Sequence, residues 1–240
     1  MVYAILYLCF VAYPIVFAGD RGWQLGFVGL AYLGIGVGSL ITIGLEPFIR
    51  KLINSHKRDP ETGRIPPEAM VSVVCIASLC VPIGELIFAW TCTPNVTWIA
   101  PILAGIPFGA GNTAVFIYAS NYLVHSYGIY AASALAGNSV LRSALGGTLP
   151  LAGPKLYATL GPHWASTLLS LLEFALVPIP FVFYRYGHLI RKKSALIARM
   201  QADQEKLEAK KKRNYESGNE KAIPGIPEKI SQAQRKSLEV

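Results

Sequence analysis

Residues 68–91 read EAMVSVVCIASLCVPIGELIFAWT, an almost wholly apolar stretch in which Glu85 is the only charged group beyond the first position. A bilayer core of roughly 30 Å is crossed by about 20 mostly apolar residues in a helix. The stretch is apolar on every side, whereas a helix of a soluble protein carries a polar face. The stretch 68–91 is therefore predicted to form a transmembrane helix.

Other apolar stretches of similar length occur on both sides of this one, up to about residue 187. Backbone groups in lipid must be hydrogen-bonded within their own segment, so we expect all of these stretches to be helices. The hydrophobic fraction is 52% and the charged fraction is 15%, below the roughly 25% of charged residues usual in soluble domains. We predict an all-α membrane protein with a six-helix bundle over residues 1–187, whose spans lie near 1–18, 23–45, 68–91, 97–124, 129–152 and 164–187.

The positive charge of the chain is unevenly distributed. The net charge is +8, and basic residues are concentrated in the connection 46–67 and in the tail after residue 184. The positive-inside rule places both in the cytosol, and six spans then place the N-terminus there too. We expect a charged cytosolic helix over 188–213, a disordered tail over 214–240, and a plasma-membrane location. The basic residues are a topology signal, and we expect no nucleic-acid binding.

Polar side chains at membrane depth indicate where function lies, because each is costly in lipid and usually faces the bundle interior. We expect four of them to face a cavity: Asn112, Asn138, Arg142 and Glu173. Arg142 cannot lose its charge, and Glu173 is its obvious partner within the chain. The two side chains form either a structural ion pair that locks two helices or part of a proton-carrying site.

A polar and aromatic stripe follows the inner end of the fourth span. Tyr118, Asn121, Tyr122 and His125 recur at helical spacing and therefore share one face. The stripe is predicted to gate the cytosolic mouth of a cavity, and ordinary helix packing is the alternative. Glycines four residues apart, at Gly34 and Gly38 and again at Gly105 and Gly109, predict a close approach of two helices.

Chemistry of other kinds has little support. The spans contain no nucleophile with a base beside it and no metal-ligand cluster, so we expect no enzyme, no cofactor and no metal. The lipid bilayer is the expected surrounding partner.

Several motifs resemble one family of membrane carriers. They are YLCFVAYPIVF at 7–17, PE at 67–68, FAWT at 88–91, NYL at 121–123, SALA at 133–136 and PIPF at 178–181. Together with Asn138 and Arg142 they resemble the C-terminal half of a twelve-span major facilitator superfamily transporter, of the fungal drug:proton antiporter family. His125 departs from the pattern, because the family usually has an aspartate there.

The resemblance implies one half of a major facilitator fold with a basic cytosolic tail. It further implies proton-coupled export of small organic molecules or polyamines by alternating access between two six-helix halves. Protons, an organic or cationic substrate and an N-terminal half are then the expected partners. The alternative is a non-transporting membrane protein that associates with or regulates a full-length carrier.

Overall fold

The computed structural model describes residues 2–55, 66–193, 206 and 209–210. Within these residues the chain is helical and contains no strand, which confirms the predicted all-α fold. The helices are α1 Val2–Pro14, α2 Leu25–Val28, α3 Leu33–Gly44, α4 Glu46–Asn54, α5 Glu68–Thr91, α6 Ile99–Tyr127, α7 Ala131–Leu176 and α8 Pro178–Lys193. A π-helical turn, Ile15–Asp20, extends α1, and short 3₁₀ turns at Gly29–Tyr32 and Gly128–Tyr130 lead into α3 and α7.

In the described part of the chain, five helical stretches are long and apolar enough to cross a membrane: Tyr3–Asp20, Gly26–Gly44, Glu68–Thr91, Ile99–Tyr127 and Ala131–Gly187. The last has 57 residues and, as a straight helix rising 1.5 Å per residue, would be roughly 86 Å long. It contains both of the last two predicted spans, and the loop expected between them is helical. Gly161 interrupts it with φ 76° and ψ 160°, which leaves two arms that are each long enough for one crossing.

The predicted close approach of glycine-bearing helices occurs between α3 and α6. A Cβ atom added to Gly34 would overlap the carbonyl oxygen of Ile102, and one added to Gly38 would overlap that of Ile106. The hydroxyl of Thr42 donates a hydrogen bond of 3.1 Å to the Ala110 carbonyl at the same crossing. The small side chains therefore let two backbones touch, as the sequence predicts.

Aromatic packing joins α1 to α5 in the core. The rings of Tyr13 and Phe88 are stacked with centroids 4.9 Å apart, and Tyr32 stacks on Tyr13 at the same distance. Arg21 closes this end of the bundle, because its guanidinium donates to the carbonyl oxygens of Thr91, Thr93 and Val96. The connection after α5 is thereby tied to the end of α1.

Large apolar side chains cover the outside of the bundle. Leu40 is 68% exposed and Leu151 is 80% exposed, as lipid-facing residues of a membrane helix are. α4 differs, because it carries Arg50 and Lys51 beside the exposed Phe48. The connection 56–65, most of the predicted cytosolic helix 188–213 and the whole predicted disordered tail 214–240 lie outside the described residues.

Candidate transport site

A concave cavity of about 280 Å³ lies where α1, α6 and the first arm of α7 meet. Three of the four predicted cavity-facing residues line it: Asn112 from α6, and Asn138 and Arg142 from α7. Tyr3 and Phe116 contribute aromatic rings, and Ser120 contributes a hydroxyl group. The remaining lining side chains are aliphatic. Glu173 is not among the lining residues.

Arg142 packs against two aromatic rings. Its guanidinium carbon lies 4.6 Å from the ring centre of Tyr3 and 4.7 Å from that of Phe116. A cation over an aromatic face is attracted by the ring quadrupole, more strongly where water is excluded. Its buried Nε has no hydrogen-bond partner among the described residues. Two aromatic rings, and no described carboxylate, therefore lie against this cation.

The prediction of an ion pair between Arg142 and Glu173 is wrong. The salt bridge found among the described residues joins Glu46 to Arg50 in α4. Arg142 precedes the Gly161 break and packs toward α1 and α6, whereas Glu173 follows the break and lies deep in the bundle. The sequence shows that both residues are at membrane depth but not which helices they pack against.

Asn112 adds a second unsatisfied donor to the cavity. Its side chain is 9% exposed, and its Nδ2 has no hydrogen-bond acceptor within the described part of the chain. A buried donor without an acceptor costs about 1–3 kcal/mol of desolvation. Asn138 lies one helical turn before Arg142 and is exposed. The cavity therefore has hydrogen-bond donors that the described residues do not satisfy.

Glu173 belongs to a separate buried cluster between α1, α5 and the second arm of α7. Glu85 is 2% exposed and Glu173 is 3% exposed, and the two carboxyl groups are close enough to interact electrostatically. Glu85 Oε2 accepts a hydrogen bond of 3.3 Å from the Cys9 thiol, and both Glu173 oxygens lack described partners. Ser170 joins the two helices through a 2.8 Å hydrogen bond to the Pro82 carbonyl. Sequence reasoning did not predict that Glu85 and Glu173 lie close together.

The four residues of the predicted gate have different surroundings. Tyr118 is 2% exposed and donates a hydrogen bond to the carboxylate of Glu46. Tyr122 lies edge-on to the ring of Phe183 in α8, with centroids 6.5 Å apart. His125 is exposed, and its Nδ1 is 2.9 Å from the Asn121 carbonyl one turn earlier. The stripe follows one helix, but gating by these residues stays a prediction.

A larger groove of about 580 Å³ lies elsewhere, at the Trp23 and Trp98 end of the bundle. Its lining is apolar apart from Gln24, and it contains no charged side chain. Such a surface suits lipid chains. The cavity at Arg142 is therefore the better candidate for binding a polar molecule.

Comparison with known proteins gives consistent relatives. The chain is 43% identical over 220 residues to the major facilitator superfamily multidrug transporter mdrA of Aspergillus fumigatus, covering 92% of this chain and 36% of that protein. It is 40% identical to the MFS-type efflux pump MFS2 of Trichophyton rubrum, covering all of this chain and 40% of the relative. Efflux pump FUB11 of Gibberella moniliformis is 42% identical over 80% of this chain and 32% of its own length. No protein-family model and no solved structure matches the chain.

The fold and the buried ionisable groups define a multi-pass α-helical membrane protein. The relatives specify which one: the chain belongs to the major facilitator superfamily and is similar to its fungal multidrug efflux pumps. It spans about a third to two fifths of the length of these relatives.

Proposed function

We propose that this chain forms the C-terminal half of an efflux carrier that exports small organic molecules by alternating access, driven by proton entry. The observation that carries the proposal is the similarity over nearly the whole chain to proteins named efflux pumps. The cavity at Arg142 supports it, because it gives a polar molecule a binding place at membrane depth. These relatives do not favour a non-transporting partner of a full-length carrier.

Alternating access requires two walls around one site. In carriers of this type the substrate lies near the midplane between repeats that rock against each other. We assign this chain one wall, with Asn112, Asn138 and Arg142 facing the substrate. The N-terminal half would supply the other wall.

Proton coupling is assigned to Glu85 and Glu173. Ionisable side chains inside spans mark proton relays in pumps and transporters. Both carboxyl groups are buried, and neither forms a salt bridge with a described cation. The titratable groups that face them are Cys9 and Tyr13 of α1 and Tyr157 of α7. The two carboxyl groups can therefore act together to carry a proton between the two sides as the helices move.

We further propose a plasma-membrane location, by analogy with export out of the cell. The cytosolic placement of both chain ends rests on the distribution of basic residues. Export of polyamines stays a prediction. Among the described residues that line the cavity none carries a carboxylate for an amine.

The test is efflux from a yeast strain that lacks its own multidrug pumps. The chain is expressed alone and together with the N-terminal half of MFS2, and efflux of one anionic, one neutral and one cationic dye is measured with and without a protonophore. We expect co-expression to produce efflux that the protonophore abolishes.

Glu85→Gln and Glu173→Gln should each remove the dependence on the proton gradient, whereas Asp20→Asn, at an exposed acid, should leave it unchanged. Absence of efflux of all three dyes from co-expressing cells, with both polypeptides present in the membrane, refutes the transport proposal. Gradient-dependent efflux by both glutamine variants refutes the assignment of the proton site alone.

A further inference from the structure

The charge of the cavity at Arg142 sets the class of molecule that it can hold. Its polar lining consists of Tyr3, Asn112, Ser120, Asn138 and Arg142, and the remaining lining side chains are Ala4, Val115, Phe116, Ala119, Leu141 and Leu145. Arg142 is the charged group in this described lining, and it is permanently positive. The cavity therefore favours an anion and disfavours a cation.

The buried side-chain atoms of the cavity lining that lack a hydrogen-bond partner among the described residues are donors. Arg142 Nε and Asn112 Nδ2 are both buried, and neither has an acceptor among the described residues. A bound molecule must therefore offer acceptor oxygens to satisfy them. A carboxylate does so with two oxygens and no competing donor.

The geometry of Arg142 favours a planar carboxylate. The rings of Tyr3 and Phe116 lie 4.6 and 4.7 Å from the guanidinium carbon, and a ligand in the cavity would meet the guanidinium at its N–H edge. That edge pairs with both oxygens of a carboxylate in parallel hydrogen bonds. The two rings also limit the rotation of the side chain, so that little conformational freedom is lost on binding.

The rest of the lining suits an apolar or aromatic body. Phe116, Leu141 and Leu145 add apolar surface to the cavity lining. The volume of about 280 Å³ is slightly below that of most small-molecule sites, which measure roughly 300–1,000 Å³. A compact molecule fits better than a long flexible chain.

From these features we infer that the cavity binds small organic anions, in which an aromatic or apolar body carries a carboxylate that pairs with Arg142 and Asn112. The inference rests on the proposed function, because it names the substrate class of that same site. It differs from the polyamine expectation in the sign of the substrate charge.

The test measures equilibrium binding, so that it does not depend on transport. The chain is reconstituted in lipid nanodiscs together with the N-terminal half of MFS2. Three probes of nearly one shape are titrated: benzoate, which is negative, benzamide, which is neutral, and benzamidine, which is positive. We expect benzoate to bind about tenfold more tightly than benzamide, as charge-assisted hydrogen bonds allow, and benzamidine to bind least.

Three variants assign the preference to the site. Arg142→Gln should remove the preference for benzoate, and Asn112→Leu should weaken benzoate binding about tenfold. Lys155→Gln removes one positive charge from an exposed position of the same helix and should leave the preference unchanged. Circular dichroism and elution volume establish that each variant is folded.

Equal binding of the three probes, or tighter binding of benzamidine, overturns the inference and indicates that a carboxylate of the N-terminal half pairs with Arg142. Failure of every probe to bind overturns it too, as does a benzoate preference that survives in folded Arg142→Gln. Efflux with no preference for anions leaves the proposed function intact, whereas benzoate binding without efflux refutes the transport proposal and leaves the anion site.

Discussion

The hydroxyl group of Tyr118 donates a hydrogen bond to the carboxylate of Glu46, which joins the interior of α6 to the first residue of α4. Arg50 donates to the same carboxylate over 2.8 Å from one turn further along α4. The hydrogen bond from Tyr118 has the larger effect on the pKa of Glu46 and that from Arg50 the smaller. Together they hold this pKa below its usual value near 4.5, although partial burial raises it. The carboxylate thus anchors a short helix that lies outside the spans.

Acid should release this anchor. A carboxyl group with a lowered pKa in the folded state stabilises the fold above its unfolded pKa, and that contribution is lost as the pH falls through the folded value. We expect Glu46→Gln to lower the melting temperature in detergent at pH 7. The difference from the unchanged protein should shrink as the pH falls below about 4.5.

Asp20→Asn, at an exposed acidic side chain, is the control and should show no such pH-dependent difference. An effect of Glu46→Gln that is equal at pH 7 and pH 3.5 would contradict the anchoring role.

The α3–α6 crossing makes a sharp prediction about two neighbouring glycines. A methyl group at Gly38 would overlap the Ile106 carbonyl, whereas one at Gly36 meets nothing within 4 Å. Overpacking of a tight contact costs about 1–3 kcal/mol, while alanine in place of glycine in a helix otherwise gains roughly 0.5–1 kcal/mol. Gly38→Ala should therefore lower the melting temperature, and Gly36→Ala should leave it unchanged or raise it. Equal melting temperatures for the two variants would show that the helices do not touch there.

The spans could be predicted from composition, but the connection between the last two could not. Hydropathy reports where a segment lies relative to lipid, and the stretch around Lys155 and His163 is more polar than its flanks. Backbone conformation is a different property, and the residues between Gly153 and Gly161 continue the helix despite Pro154. The structure therefore has helix where the sequence predicts a connection between the last two spans, and the two crossings themselves stay a prediction.

The candidate site could likewise be predicted only in part from the sequence. That Asn112 and Arg142 are costly in lipid follows from residue type, and the structure places both on one cavity. The partner of Arg142 depends on which helices pack together, and two aromatic rings take the place that Glu173 was expected to fill. The acceptor for Tyr118 was missed because Glu46 lies outside the spans, where a search of apolar stretches does not reach.

The break at Gly161 is expected to require glycine. Its φ of 76° with ψ of 160° belongs to a region that is essentially confined to glycine and costs other residues about 1–3 kcal/mol. Gly161→Ala should lower the melting temperature in detergent accordingly. Gly137→Ala is the matched control, because Gly137 lies in the same helix with open space around it and tolerates a side chain. If Gly161→Ala melts no lower than Gly137→Ala, the helix does not need this break.

The proposed orientation predicts which surface positions a reagent reaches from outside the cell. Lys51 is exposed in α4 beside Arg50, and Asn95 is exposed in the connection after α5. The positive-inside rule assigns Lys51 to the cytosol and Asn95 to the opposite side. In intact cells, a membrane-impermeant maleimide should label a protein with Asn95→Cys. It should label one with Lys51→Cys only after permeabilisation, and the unchanged protein gives the background of its four own cysteines. Labelling of the Lys51→Cys protein in intact cells would show that the orientation is the opposite of the proposed one. α4 precedes the single span α5 and the 92–97 segment follows it, so the two lie on opposite sides of the membrane.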